Sequence, residues 1–133
     1  MDRPTVVIVE DDLLFLEALT AFVEELGYRV LATADTEEGA VQIVGEHRPD
    51  VVLMDVKLMG GNGLRAASTI RQTSQVPIVF CTSYADDNAI QTTVQLLGRA
   101  VLISKPFDED ELADLLANAV KQSSHVIVRA PAE

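Results

Sequence analysis

Three short apolar runs stand out along the chain: Thr5 to Val9 (TVVIV), Val51 to Met54 (VVLM) and Val76 to Thr82 (VPIVFCT). Each is continuous rather than alternating, the pattern of parallel strands covered on both faces. Arg29 to Thr33 and Ala100 to Ser104 are weaker strand candidates. Between these segments the period becomes helical. Phe15, Leu19, Phe22 and Leu26 recur at spacings of four, three and four, and Gly27 supplies a stop. A second helix is expected to open at Asp35, with Glu38 three residues on as its capping partner. It should end before Arg48-Pro49, because proline disfavours helix in the residue ahead of it. A third helix, from about Gly63 to Arg71, places Leu64, Ala67 and Ile70 on one face. A fourth spans roughly Ala85 to Leu97 and stops at Gly98. The fifth starts after Phe107, capped by Asp108 with Glu111, and buries Leu112, Leu115, Leu116 and Ala119. Strand and helix alternate five times, the sequence form of a doubly wound α/β sheet.

Composition adds bounds. The 133 residues, 48% hydrophobic and 23% charged, suit one globular domain with its own core. Residues 1–122 are expected to form it. Residues 123–133 read as a C-terminal tail, with Val126 to Val128 packing locally. The lone Cys81 excludes an internal disulfide and any metal site built on cysteine pairs. No apolar run approaches the ~20 residues of a membrane helix. The N-terminus enters a strand-like run and lacks the basic-then-apolar pattern of a signal peptide, so a cytoplasmic location away from membranes is expected. With 21 acidic against 10 basic residues the formal charge is −11. So acidic a surface stays soluble and repels a phosphate backbone, which argues against direct nucleic-acid binding.

Ligands of doubly wound sheets bind outside the carboxyl ends of the strands. Glu10, Asp11 and Asp12 follow the first strand, and Asp55 ends the third. The fourth ends at Thr82-Ser83 and the fifth at Ser104-Lys105-Pro106. One edge of a parallel sheet would therefore collect several carboxylates, a hydroxyl and an ammonium. Carboxylates held together repel, and a hard cation such as Mg²⁺ removes the conflict while favouring phosphate oxygens as further ligands. An aspartate can act as nucleophile towards a phosphoryl group. A lysine and a threonine hydroxyl then hold the transferred oxygens.

The segments VVIVEDD (6 to 12), PDVVLMD (49 to 55) with Gly63 eight residues beyond the aspartate, PIVFCTS (77 to 83) and SKPF (104 to 107) occur in this order on the matching strand ends. Together they resemble the receiver domain of two-component response regulators, from about Val6 to Val120. The resemblance implies a flavodoxin-like fold with five parallel strands in the order 2-1-3-4-5 and five helices. It implies transfer of a phosphoryl group from a phosphohistidine on a sensor histidine kinase or histidine phosphotransfer protein, followed by phosphorylation-dependent binding to a downstream effector protein, as a monomer or a phosphorylation-dependent dimer. Asp55 matches the phosphoacceptor, Asp11 the direct Mg²⁺ ligand and Glu10 the acid that holds the ion through water. The backbone carbonyl of Lys57 matches the third protein ligand. Thr82 and Lys105 match the groups that hold the phosphoryl oxygens, and Pro106 a proline whose preceding bond is usually cis.

Several residues read more simply. Asp12 suits the cap of the first helix and Asp50 a turn beside Pro49. Strand alternation points Cys81 away from Thr82 and into the core. His47 and His125 are surface candidates. Gly60-Gly61-Asn62-Gly63 lacks the Lys-Ser/Thr of a phosphate-cradling loop and suits a tight turn.

Four positions depart from the commonest family pattern. Leu102 stands where an aromatic switch residue is usual. Met59, followed by two glycines, replaces a proline, so that loop is expected to be looser than average. Lys57 and Tyr84, two places after Asp55 and Thr82, stand at positions that in the family flank the path by which water reaches the phosphoryl group. Two other readings compete with the phosphoacceptor. One is a degenerate receiver that signals by binding alone. The other is an aspartyl-phosphate phosphatase, which would need a second aspartate where Lys57 stands.

Overall fold

Residues within one continuous apolar run are sorted by the alternation of a strand. Val7, Val9, Val52, Met54, Ile78 and Phe80 face one side of the sheet, while Val6, Ile8, Val51, Leu53, Val79 and Cys81 face the other. The computed structural model describes residues 3–132, with side chains described through residue 122. In chain order the elements are β1 (Thr5–Val9), α1 (Leu13–Glu25), β2 (Arg29–Ala34), α2 (Glu37–His47), β3 (Val51–Met54), β4 (Lys57–Leu58), β5 (Gly61–Asn62), α3 (Gly63–Arg71), β6 (Ile78–Thr82), α4 (Asn88–Leu97), β7 (Ala100–Ser104) and α5 (Glu109–Ala132). The main sheet runs β2-β1-β3-β6-β7 with every pairing parallel. Counting only these five strands, that is the expected order 2-1-3-4-5. The two-residue strands β4 and β5 form a small antiparallel hairpin between β3 and α3.

Helices cover both faces. Ala40 and Val44 of α2, Ala66, Ala67 and Ile70 of α3 and Val94 of α4 bury one side. Leu19 and Val23 of α1 and Leu112, Leu116 and Ala119 of α5 bury the other. Each face therefore removes a full set of branched side chains from water, the main stabilising term. Asp50 extends its turn role by accepting from the amide and hydroxyl of Thr5 (2.8 and 3.1 Å), which ties the starts of β1 and β3.

Several boundaries shift by a few residues for local reasons. The cap of α2 is Thr36 rather than Asp35, since the Thr36 hydroxyl accepts from the Gly39 amide at 3.0 Å. Strand β6 begins at Ile78 rather than Val76, because Pro77 has no amide to give the ladder. Helix α4 begins at Asn88 rather than Ala85, because the Asp87 carboxylate caps the Ile90 amide at 3.0 Å and residues 83–86 form a turn. Leu26, assigned to the apolar face of α1, is instead its exposed C-cap. Gly27 terminates that helix at φ +102°, as expected of a residue free of the Cβ penalty. The side chains of His125 and of Val126 to Val128 lie outside those described. No helix among the described residues is long and apolar enough to cross a membrane.

Candidate phosphoacceptor site

The sheet ladder continues one residue past the strands and so holds the acidic edge rigidly. The Asp55 amide donates to Val9 O at 3.0 Å, the Glu10 amide to Ala34 O at 2.9 Å and the Lys105 amide to Thr82 O at 3.0 Å. Parallel register thus brings Glu10, Asp55, Thr82 and Lys105 to one edge although 95 residues separate the first from the last. Asp12 does not join them. Its carboxylate caps α1 by accepting from the Phe15 amide at 3.1 Å.

Lys105 is the hub. Its Nζ donates to Asp55 Oδ2 at 2.8 Å and to Glu10 Oε1 at 2.9 Å. The side chains are 16% exposed for Lys105, 10% for Asp55 and 1% for Glu10, so the cluster is sheltered from solvent screening. Burial pushes the Glu10 carboxyl above its ordinary range, against the opposing pull of Lys105 and of the Asp12 amide, which donates to Oε2 at 3.0 Å. Burial works to lower the Lys105 pKa, but hydrogen bonds to Asp55 and Glu10 outweigh it and the net shift is upward. The ammonium is therefore held charged. The Phe15 ring lies 4.3 Å from Nζ and is itself braced edge-on by Phe107, an arrangement that favours a cation over the ring face. The Lys105–Pro106 bond is cis.

Oxygens of Glu10, Asp11 and Asp55 lie within 4.8 Å of one another, with Asp11 exposed and the other two buried. Three hard oxygen donors at one rim fit a divalent cation such as Mg²⁺. Thr82 is fully buried, and its hydroxyl oxygen accepts from the Tyr84 amide at 3.1 Å. Its proton is thereby directed away from that amide. Lys57 lies in β4, two residues beyond Asp55 and opposite Asn62.

Three features of the site escape sequence reasoning. Lys57 Nζ donates to Tyr84 Oη at 3.1 Å and lies 4.3 Å from the ring centroid, so the two side chains touch each other. Glu37 Oε1 accepts from the Asn62 amide (3.0 Å) and from Arg65 Nε (3.1 Å), anchoring the residue that follows the Met-Gly-Gly loop expected to be loose. Gly63 is required sterically, since a Cβ there would strike the Asp55 carbonyl oxygen and approach Met54 Cγ at 3.1 Å. Leu102, opposite Phe80 in the ladder, packs with the core on the α2-α3-α4 face. Cys81 is buried, with its thiol pushed up to about 12 chiefly by desolvation.

Residues 6–117 match the family model described as the response regulator receiver domain. The chain is 34% identical over 117 residues to the phyllosphere-induced regulator PhyR of Methylorubrum extorquens, covering 86% of this chain and 43% of that protein. It is 32% identical over 117 residues to the transcriptional regulatory protein PdtaR of Mycobacterium tuberculosis, covering 88% and 57%. It spans about half the length of such curated relatives. Among solved structures, the signal receiver domain of a modulated diguanylate cyclase from Desulfovibrio desulfuricans superposes with a TM-score of 0.82 at 32% identity, covering 92% of this chain and 98% of that one.

Proposed function

The chain belongs to the family of response regulator receiver domains, and from that membership we propose that Asp55 takes a phosphoryl group from a phosphohistidine and that the phosphorylated form signals by binding protein. The observation that carries this reading is the buried Asp55–Lys105–Glu10 cluster, with Lys105 Nζ at 2.8 and 2.9 Å from its two carboxylates. A lone aspartate at a strand end has no need of a fixed ammonium and two acidic neighbours; a phosphoryl acceptor does.

In the proposed reaction an Asp55 carboxylate oxygen attacks phosphorus. The new O–P bond forms as the N–P bond of the donor breaks, and the imidazole keeps the electron pair and takes a proton from solvent. Lys105 leaves Asp55 Oδ2 for a phosphoryl oxygen while remaining anchored on Glu10 and beside Phe15. The Thr82 hydroxyl, buried at the end of β6, donates to a second phosphoryl oxygen. Glu10, Asp11, Asp55 and the backbone carbonyl of Lys57 would hold Mg²⁺, which when bound supplies positive charge to the carboxylates and the phosphoryl oxygens.

The donor is proposed to be a sensor histidine kinase or histidine phosphotransfer protein, and the recipient of the signal an effector protein. Residues 1–122 form the proposed receiver unit, with 123–133 as a tail, acting in the cytoplasm as a monomer or a phosphorylation-dependent dimer. The acidic charge disfavours direct contact with nucleic acid. The test is intact-mass spectrometry after incubation with acetyl phosphate and Mg²⁺. One phosphoryl group should appear on the wild type and none on Asp55→Asn or in the presence of EDTA. An unmodified wild type, or equal modification of Asp55→Asn, overturns the reading.

A further inference from the structure

A cavity of about 550 Å³ lies at the opposite end of the sheet from the carboxylates, between the C-terminal ends of α2 and α3 and the loops entering β6 and β7. That volume is in the range of small-molecule sites, which combine apolar walls with a few fixed polar groups. Val44, Ile70 and Val76 supply the wall, and Arg48, Arg99 and Ser74 the polar rim.

Both arginines are exposed and, like the other described basic residues except Arg65 and Lys105, form no ion pair among the described residues. They are also the described non-glycine residues with positive φ, at +48° and +50°. Arg48 is the left-handed C-cap of α2, a position where glycine or asparagine sits without strain. A long cation kept in that conformation twice, at the rim of one cavity, points to a use for the guanidinium groups rather than for the turns.

The rim is also held rigid from behind. Arg71 Nη1 donates to Val76 O at 2.7 Å and Nη2 to Arg99 O at 3.0 Å, so one guanidinium clamps two residues of the cavity together. The Ile78 amide fixes the Arg99 carbonyl again at 2.9 Å. The acidic edge opposes anion binding only weakly here, because screening over roughly 8–10 Å removes most of its field.

We infer that this cavity binds a small organic anion, with an apolar body against Val44, Ile70 and Val76 and a phosphate or carboxylate head between Arg48 and Arg99. Planar guanidinium forks suit both heads. The site is separate from the phosphoacceptor edge and does not depend on phosphorylation of Asp55.

The test is a titration of the ¹⁵N-labelled full chain, in EDTA, followed by amide chemical shifts. The probes are 1-naphthyl phosphate, 1-naphthoate, 1-naphthol and inorganic phosphate. Saturable shifts confined to residues 44–49, 73–76 and 98–100 are expected for one or both naphthyl anions, and the stronger of the two identifies the head. Naphthol and inorganic phosphate should each bind at least about tenfold more weakly. The double variant Arg48→Gly, Arg99→Gly relaxes both left-handed residues, so it should melt no lower than wild type while losing at least about tenfold in affinity. Unsaturable shifts, shifts centred on Asp55, or undiminished binding by the double variant would overturn the inference. If that variant melts lower, the arginines serve the turns and the inference also fails, unless Arg48→Gln with Arg99→Gln keeps the melting temperature and loses the binding.

Discussion

Replacing Arg71 with methionine removes a half-buried cation whose hydrogen bonds all go to backbone carbonyls. Nε donates to Leu97 O and Gly98 O, both at 3.2 Å. Nη1 donates to Val76 O at 2.7 Å and Ser74 O at 3.4 Å, and Nη2 to Gly98 O at 2.7 Å and Arg99 O at 3.0 Å. Bonds from a charged donor contribute about 1.5–3 kcal/mol each, so the three short ones set a ceiling of roughly 5–9 kcal/mol. The real loss is smaller. Water can reach the exposed Gly98 and Arg99 carbonyls, whereas the half-buried Val76 carbonyl loses about 1–3 kcal/mol with its donor. Burial, reinforced by the nearby Arg99 charge, lowers the Arg71 pKa, and methionine relieves that desolvation. The expected net loss is about 2–4 kcal/mol, a large share of the ~5–15 kcal/mol that holds a domain of this kind. Urea denaturation followed by circular dichroism should show a lower midpoint at unchanged slope, and the melting temperature should fall by roughly 10 °C. Arg71→Lys keeps the charge but not the fork, and should recover less than half of the loss. A lysine variant as stable as wild type, or a methionine variant within about 0.5 kcal/mol of it, would refute the reasoning.

Gly63→Ala drives a methyl group into the Asp55 carbonyl, a backbone atom that cannot rotate aside; a loss of about 2–3 kcal/mol is expected in a thermal melt, and an unshifted melt would show that the hairpin re-forms freely. On the proposed reaction the Lys57–Tyr84 pair would screen the aspartyl phosphate from water, and Tyr84→Ala removes a contact worth about 0.5–1 kcal/mol at an exposed site, so the aspartyl phosphate should hydrolyse about two- to fivefold faster; an unchanged or longer lifetime speaks against that screening. With the Cys81 thiol pushed up to about 12, a disulfide reagent at neutral pH should react only after urea is added, and prompt reaction of the native chain would contradict its burial. Because that folded value lies above the ordinary 9.0, its contribution to stability is intact below pH 9 and is lost as pH rises towards 12; Cys81→Ala should weaken the alkaline decline of the urea midpoint.

Much of the site was legible from residue order. Glu10, Asp11, Asp55, Thr82 and Lys105 each follow or end an apolar run, and strand alternation points Cys81 into the core away from Thr82. Helix starts were legible only to within a residue or so where two capping residues adjoin. Asp35 and Thr36 are both good caps, and it is the Thr36 hydroxyl that accepts from the Gly39 amide. The looseness expected of Met59-Gly60-Gly61 is limited at its far end, where Glu37, 25 residues upstream of Asn62, holds the Asn62 amide.

Element type, the stops at Gly27 and Gly98 and the identity of the acidic edge were properties of the sequence by itself, because apolar continuity, helical period and cap chemistry act over a few residues. Tertiary structure alone decided the partners. Lys105 divides its ammonium between Asp55 and Glu10 and rests on Phe15, Lys57 meets Tyr84, and Arg71 clamps two loops around a cavity at the far end of the sheet. Except for Arg71 with Val76, which are neighbours along the chain, each of these contacts spans a crossover, so its length depends on strand order and register rather than on separation along the chain. A long charged side chain carries no local signal of which carboxylate, ring or carbonyl the fold will bring within its reach.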